Sequence, residues 1–191
     1  MHGKRRAFGV GSRVMLGAIE NPRTGQRMVF VTERRELLEI ESSNPPSQIR
    51  EPVHVHPVQE SGARVTSGSL RFSVEGIERT VHPGESITIP ANTPHRFWND
   101  GVDDAHAVQS FRPALRTREF FETLFALARD GKLDDKGMPS LLQLAVMIPE
   151  FSQEIRTTSP PWPVQQAVAL LLAPVARRRG YRADYAGPTR S

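Results

Sequence analysis

The sequence predicts a mainly β domain followed by a helical C-terminal extension. Three observations carry that expectation. The 191 residues include 16 Pro and 14 Gly, which call for many short elements joined by turns. Across residues 8–112, apolar and polar side chains alternate in short runs, the period-2 pattern of half-buried strands. After Pro113 the apolar spacing changes to three and four, the period of a helix face. The expected division is a β sandwich or barrel over residues 1–113, then helices over 114–191.

Taken in order, strands over 14–19 and 27–31 flank Asn21-Pro22-Arg23-Thr24-Gly25 and form a hairpin. Strands follow at 37–41 and 52–56. A tighter hairpin joins 70–74 to 77–81 through Glu75-Gly76, where glycine supplies a positive φ. Further strands fall at 86–89, 95–98 and 105–111. Beyond Pro113, Thr117 is a candidate cap for a helix bearing Phe120, Phe121, Leu124, Phe125 and Ala128, with Gly131 as its stop. A second helix over 141–148 ends at Pro149. A third spans 164–179, interrupted near Pro174, with arginines in its last turn where they suit the helix dipole. These apolar helix faces are expected to cover a barrel face or a dimer partner.

Composition excludes several classes. With no Cys among 191 residues, disulfide scaffolds, thiolate metal sites, iron–sulfur clusters and Cys nucleophiles are absent. Any metal must be held by His, carboxylate or water. The net charge of +4 gathers partly at the ends, in Lys4, Arg5, Arg6 and Arg13 and in Arg177, Arg178, Arg179, Arg182 and Arg190. The middle has no basic face interleaved with aromatics and no helix-turn-helix spacing, so no specific nucleic-acid partner is expected. The longest apolar run, residues 167–176, is about half the length needed to cross a bilayer. The N-terminus lacks the apolar core of a signal peptide. The expectation is a cytoplasmic protein with no membrane partner.

Chemistry concentrates in the histidines. In His54-Val55-His56 the two imidazoles are two apart on a strand and share a face. That is a half-site for a divalent transition metal. Glu60 and Gly68 follow. Further on, Gly84, Pro90, His95 and Asn99 lie at spacings of six, five and four, with Asn92 in the turn between Pro90 and His95. His82, in Val81-His82-Pro83-Gly84, reads as an exposed turn residue. His106 shares a strand face with Val108 and Ser110, while Gln109 takes the other; alternation does not say which face is interior. Phe97 and Trp98 flank His95, and alternation turns one of them inward.

The two segments resemble, in order, the two signatures of the cupin superfamily. His54, His56 and Gly68 match the first; Gly84, Pro90, His95 and Asn99 match the second, with Asn92 where the family has Gly. Asn also tolerates the left-handed conformation. The resemblance covers residues 52–99 and extends through the surrounding strands; the helical extension lies outside it. It implies a jelly-roll β-barrel with an interior pocket. It also implies one divalent metal (Fe, Zn, Ni or Mn) held by His54, His56 and His95, and a homodimer.

The family's carboxylate ligand does not transfer cleanly. Its position, with six residues between it and Gly68, is Ser61 here, and Glu60 stands one residue earlier. A one-residue shift on a strand sends the side chain to the other face. Either a bulge turns Glu60 inward, or the site has three His and no carboxylate; the stiffness of a strand favours the latter. The function implied is metal-assisted chemistry on a small organic substrate, of dioxygenase or isomerase/cyclase type. The alternative is a cupin that binds a small molecule without turning it over.

Overall fold

The computed structural model describes residues 16–47 and 49–185. His2, the basic residues Lys4, Arg5, Arg6, Arg13 and Arg190, and the first two residues of the strand expected over 14–19 lie outside the described residues.

The strands are β1 (Gly17–Glu20), β2 (Arg27–Arg34), β3 (Leu37–Asn44), β4 (His54–Val55), β5 (Glu60–Ser67), β6 (Leu70–Val74), β7 (Ile77–Val81), β8 (Ser86–Ile89), β9 (His95–Trp98), β10 (Ala105–Arg112) and, between helices, β11 (Arg156–Thr157). The helices are α1 (Thr117–Arg129), α2 (Leu141–Glu150) and α3 (Trp162–Arg178). One antiparallel sheet runs β1-β2-β3-β10-β5-β8, the other β11-β4-β9-β6-β7. Mostly β, in two antiparallel sheets followed by helices, this is a jelly roll with a helical C-terminal extension.

Alternation explains the core between the sheets. Ala63 and Val65 of β5, Ile89 of β8 and Ala105 and Ala107 of β10 meet Leu70 and Phe72 of β6 and Val81 of β7. On β10 the outward set is His106, Val108 and Ser110, while Gln109 is buried beside the apolar residues. His82 is exposed in its turn. A second cluster joins Met28, Phe30, Leu38, Ile40 and Phe111 of the barrel to Phe121, Leu124 and Phe125 of α1. A third packs α1 against α2 through Leu127, Ala128, Met147 and Phe151. Helix α3 lies against α2. It buries Ala169, Ala173 and Ala176 but leaves Leu170 and Leu171 exposed.

Five local expectations are revised. The segment 60–67, where the pattern predicts no strand, is one, and Gly68 turns the chain from it into β6. Its inward residues are the small Ser61, Ala63 and Val65, so its hydrophobic period is faint. Of the strand expected over 52–56, only His54–Val55 is laddered. Thr117 is the first residue of α1, not its cap; its hydroxyl accepts from Gln59 Nε2 at 2.8 Å, and Arg116 at the cap position gives the helix no side-chain cap. Helix α2 runs through Pro149 to Glu150. Finally, Arg156–Thr157 adds a short strand to the edge of β4, which carries His54.

Gly68 has φ +66°, and a Cβ there would stand 2.7 Å from the Asp104 carbonyl oxygen and 2.8 Å from Ala105 Cα. Both neighbours are backbone and cannot swing away. Gly68→Ala is therefore expected to destabilise the fold by on the order of 2 kcal/mol. The check is a urea midpoint lowered at unchanged slope.

Candidate metal centre

Strand pairing brings the three histidines together. His54 on β4 stands directly opposite His95 on β9. His56, two residues on, keeps the same face as His54. The turn before β9 is pinned to this strand: Asn92, at φ 61°, donates its N–H to the His56 carbonyl at 2.7 Å. The left-handed position at Asn92 is thus filled as its residue type allows. Ring centroids lie 4.5 Å apart for His54 and His95, 5.1 Å for His56 and His95, and 5.2 Å for His54 and His56. All three side chains are buried, and one ligand nitrogen from each lies within 4.8 Å of the others.

Each ring is oriented by a backbone carbonyl. His54 Nδ1 is 3.0 Å from the Pro52 oxygen, His95 Nδ1 is 2.8 Å from the Thr93 oxygen, and His56 Nδ1 is 2.6 Å from the Glu154 oxygen. A carbonyl only accepts, so each Nδ1 carries the proton and each Nε2 lone pair is left free. Burial pushes all three imidazoles below their usual pKa, His56 to about 3, and mutual repulsion adds to this at His56 and His95. Bonds from Nδ1 to the carbonyls work in the opposite direction. Three neutral imidazoles with free, convergent Nε2 atoms are a donor set that suits a divalent transition metal.

Glu60 does not join them. It is exposed, whereas Ser61 is buried and lines the cavity beside the histidines. The ladder is regular here, with Ser61 opposite Phe111 on one side and Ile89 on the other, so no bulge restores Glu60 to the inner face. Phe97 and Trp98 both contribute to the cavity wall.

Sequence reasoning missed two contributors. The first is Glu51, in the loop before β4, which lines the same cavity. The Phe97 N–H donates to its Oε1 at 3.2 Å. Although Glu51 keeps partial surface exposure as a residue, burial of its carboxyl pushes the pKa from 4.5 up to about 7, against the Phe97 N–H and the charges of His95 and Arg96. A carboxylate just before Pro52 in a non-periodic loop was the only signal available. The second is the Glu154 carbonyl, 98 residues from His56, for which no side-chain pattern exists.

Glu51 makes stability depend on pH with a definite sign. Between pH 4.5 and about 7 the folded protein holds a proton at Glu51 that the unfolded chain has released. Stability contributed by this group therefore falls as pH rises through that window. Glu51→Gln keeps an acceptor for Phe97 and removes the charge. In metal-free protein it should gain about 1–3 kcal/mol near pH 8 and little near pH 4, read by denaturant unfolding at both pH values. Equal effects at the two would show that Glu51 is not held protonated by burial.

A cavity of about 460 Å³ opens from the histidines, lined by barrel residues and by residues of all three helices. Among the described residues, no helix is long and apolar enough to cross a membrane. A family model for the cupin domain matches residues 42–111, which include all three histidines. The chain is 30% identical over 60 residues to Protein SchB of Streptomyces halstedii, an overlap of 31% of this chain and 44% of that protein. It thus spans under half the length of that curated relative. Among solved structures it is similar to KdgF from Halomonas sp., at 18% identity and TM-score 0.48 over 52% of this chain and 89% of that one. It is also similar to an RmlC-like cupin from Shewanella frigidimarina NCIMB 400, at 18% identity and TM-score 0.47 over 60% and 96%.

Proposed function

Residues 42–111 belong to the cupin superfamily, and on that premise we propose a metal-dependent enzyme acting on a small organic substrate by proton transfer, of isomerase or cyclase type. The observation that carries this reading is the set of three buried imidazoles whose Nδ1 atoms are committed to carbonyls. Their Nε2 atoms would hold one divalent ion. Such an ion supplies Lewis-acid polarisation of a carbonyl or enolate oxygen when bound.

The chain's own residues account for the rest. Glu51 presents to the cavity a carboxyl that is divided between its two protonation states near neutral pH. It can take a proton from a carbon beside a polarised carbonyl and return it elsewhere. The Phe97 N–H fixes one of its oxygens. Glu154 and Thr93, through their carbonyls, keep His56 and His95 in one tautomer and one orientation. Apolar walls keep water from competing for the ion.

The test loads stripped protein with zinc, nickel, manganese or iron(II) and follows two signals on a 1,3-dicarbonyl probe. The expected result is near-stoichiometric metal and exchange of the probe's acidic C–H with deuterium from solvent, without dioxygen uptake. Glu51→Gln should slow that exchange by about 10²–10⁴-fold at unchanged metal content. Dioxygen uptake by the iron(II) form would replace this reading with a dioxygenase. Protein that binds the probe but takes no metal would point to a non-catalytic binding cupin. We further propose a cytoplasmic homodimer, to be checked by fractionation and by solution mass.

A further inference from the structure

We infer that the substrate is an extended, mostly apolar, ring-bearing molecule with one oxygenated end, and that the helical extension is the wall that selects it. The inference rests on the proposed metal centre for where the oxygenated end sits. It goes beyond that reading by assigning the part of the cavity wall that the helical extension supplies. That part comes from residues 117–169, outside the matched cupin segment.

The wall supplied by the helices includes Phe120 and Phe121 of α1, Leu144 and Ile148 of α2, and Trp162 and Val168 of α3. Each keeps intermediate exposure although its helix is packed. Apolar side chains drawn from three helices around one space leave a surface that only an apolar occupant covers without loss. Two of the polar side chains in this part of the wall, Gln165 and Arg156, already have partners. Gln165 Nε2 donates to the Thr157 and Pro160 carbonyls, and its Oε1 accepts from Thr157 Oγ1. The Arg156 guanidinium lies 4.2 Å from the Trp162 ring centroid and its Nε donates to the Ser152 carbonyl.

A polyhydroxylated sugar would bury hydroxyls against this surface with few partners, which is costly. An aromatic or fused-ring body would instead find edge and face contacts with Phe120, Phe121 and Trp162. At about 460 Å³ the cavity falls in the range that encloses a drug-sized ligand rather than a two- or three-carbon acid.

The experiment compares 1-hydroxy-2-naphthoate, glycolate and gluconate on zinc-loaded full-length protein by titration calorimetry. All three offer a hydroxyl and a carboxylate; only the first carries rings. Naphthoate is expected to bind tighter than glycolate by on the order of tenfold or more. Leu144→Gln should erase most of that advantage while leaving zinc content and glycolate affinity unchanged. Ile148→Gln serves as a second variant should Leu144→Gln lower the thermal midpoint. Equal affinities, or tighter gluconate, would overturn the inference. Zinc content is measured first, so that a failed metal centre is seen separately. In that case 2-naphthol, which lacks a chelating pair, probes the wall alone. Binding weakened by Leu144→Gln upholds the inference, and no binding ends it.

Discussion

Replacing His95 by alanine should strip the protein of tightly bound metal, lowering affinity by more than about 100-fold, whereas Glu60→Ala should leave it nearly unchanged. The loss follows from the geometry of a three-ligand centre. His54 and His95 face each other across a strand pair, and His56 closes the triangle. Removing one imidazole leaves two ligands and a hole where the third stood. Even a lost outer-shell partner costs roughly 10–100-fold in metal affinity, so a lost ligand costs more. Glu60 points out on the far side of a regular strand, and Ser61 takes the inner position. Ser61→Glu should accordingly bring a carboxylate toward the histidines and tighten binding. The check is metal content and affinity for the three variants side by side. If Glu60→Ala strips the ion as thoroughly as His95→Ala, the three-imidazole centre is wrong.

Truncation to residues 1–113 should produce aggregating protein that holds metal poorly. The extension is woven into the barrel at four places. Phe121, Leu124 and Phe125 cover Met28, Phe30, Leu38, Ile40 and Phe111. At about 1.5–3 kcal/mol for the fully buried Phe125 and less for each of the partly buried Phe121 and Leu124, these three contribute a sizeable share of the roughly 5–15 kcal/mol by which a domain is folded. Gln59, wholly buried, would lose the Ala114 carbonyl and the Thr117 hydroxyl as partners for its amide. Strand β4 would lose β11 from its edge, opening a backbone row that pairs with other chains. His56 would lose the Glu154 carbonyl that sets its tautomer. Soluble, monomeric 1–113 with full metal affinity would show that the extension serves neither the fold nor the centre.

Local order made much of this legible in advance. The strands at Ser86–Ile89 and His95–Trp98 fall where alternation puts them. The tight turn at Glu75-Gly76 has positive φ at both positions, 51° and 82°, as a two-residue hairpin of this twist requires. Side-chain phase is equally local: successive residues on a strand alternate faces, which already separated Glu60 from Ser61 and paired His54 with His56.

What stayed hidden has a physical cause in each case. Strand Glu60–Ser67 is hard to read because its inner residues Ser61 and Ala63 are small and weaken the hydrophobic period, while Gly62 on the opposite face carries no side chain; a Cβ there would stand 2.8 Å from the Ile87 carbonyl oxygen. Thr117 reads as a cap, but a buried amide from Gln59 claims its oxygen, and a tertiary hydrogen bond outweighs a local preference. The two residues of β11 form a strand only because β4 offers them an edge. Spacing along the chain specified which imidazoles share a face, since that depends on backbone geometry over a few residues. The Glu154 carbonyl on His56, the burial that raises Glu51 and the cavity wall from three helices depend on segments far apart in sequence. They exist only once packing has brought those segments together and excluded water between them.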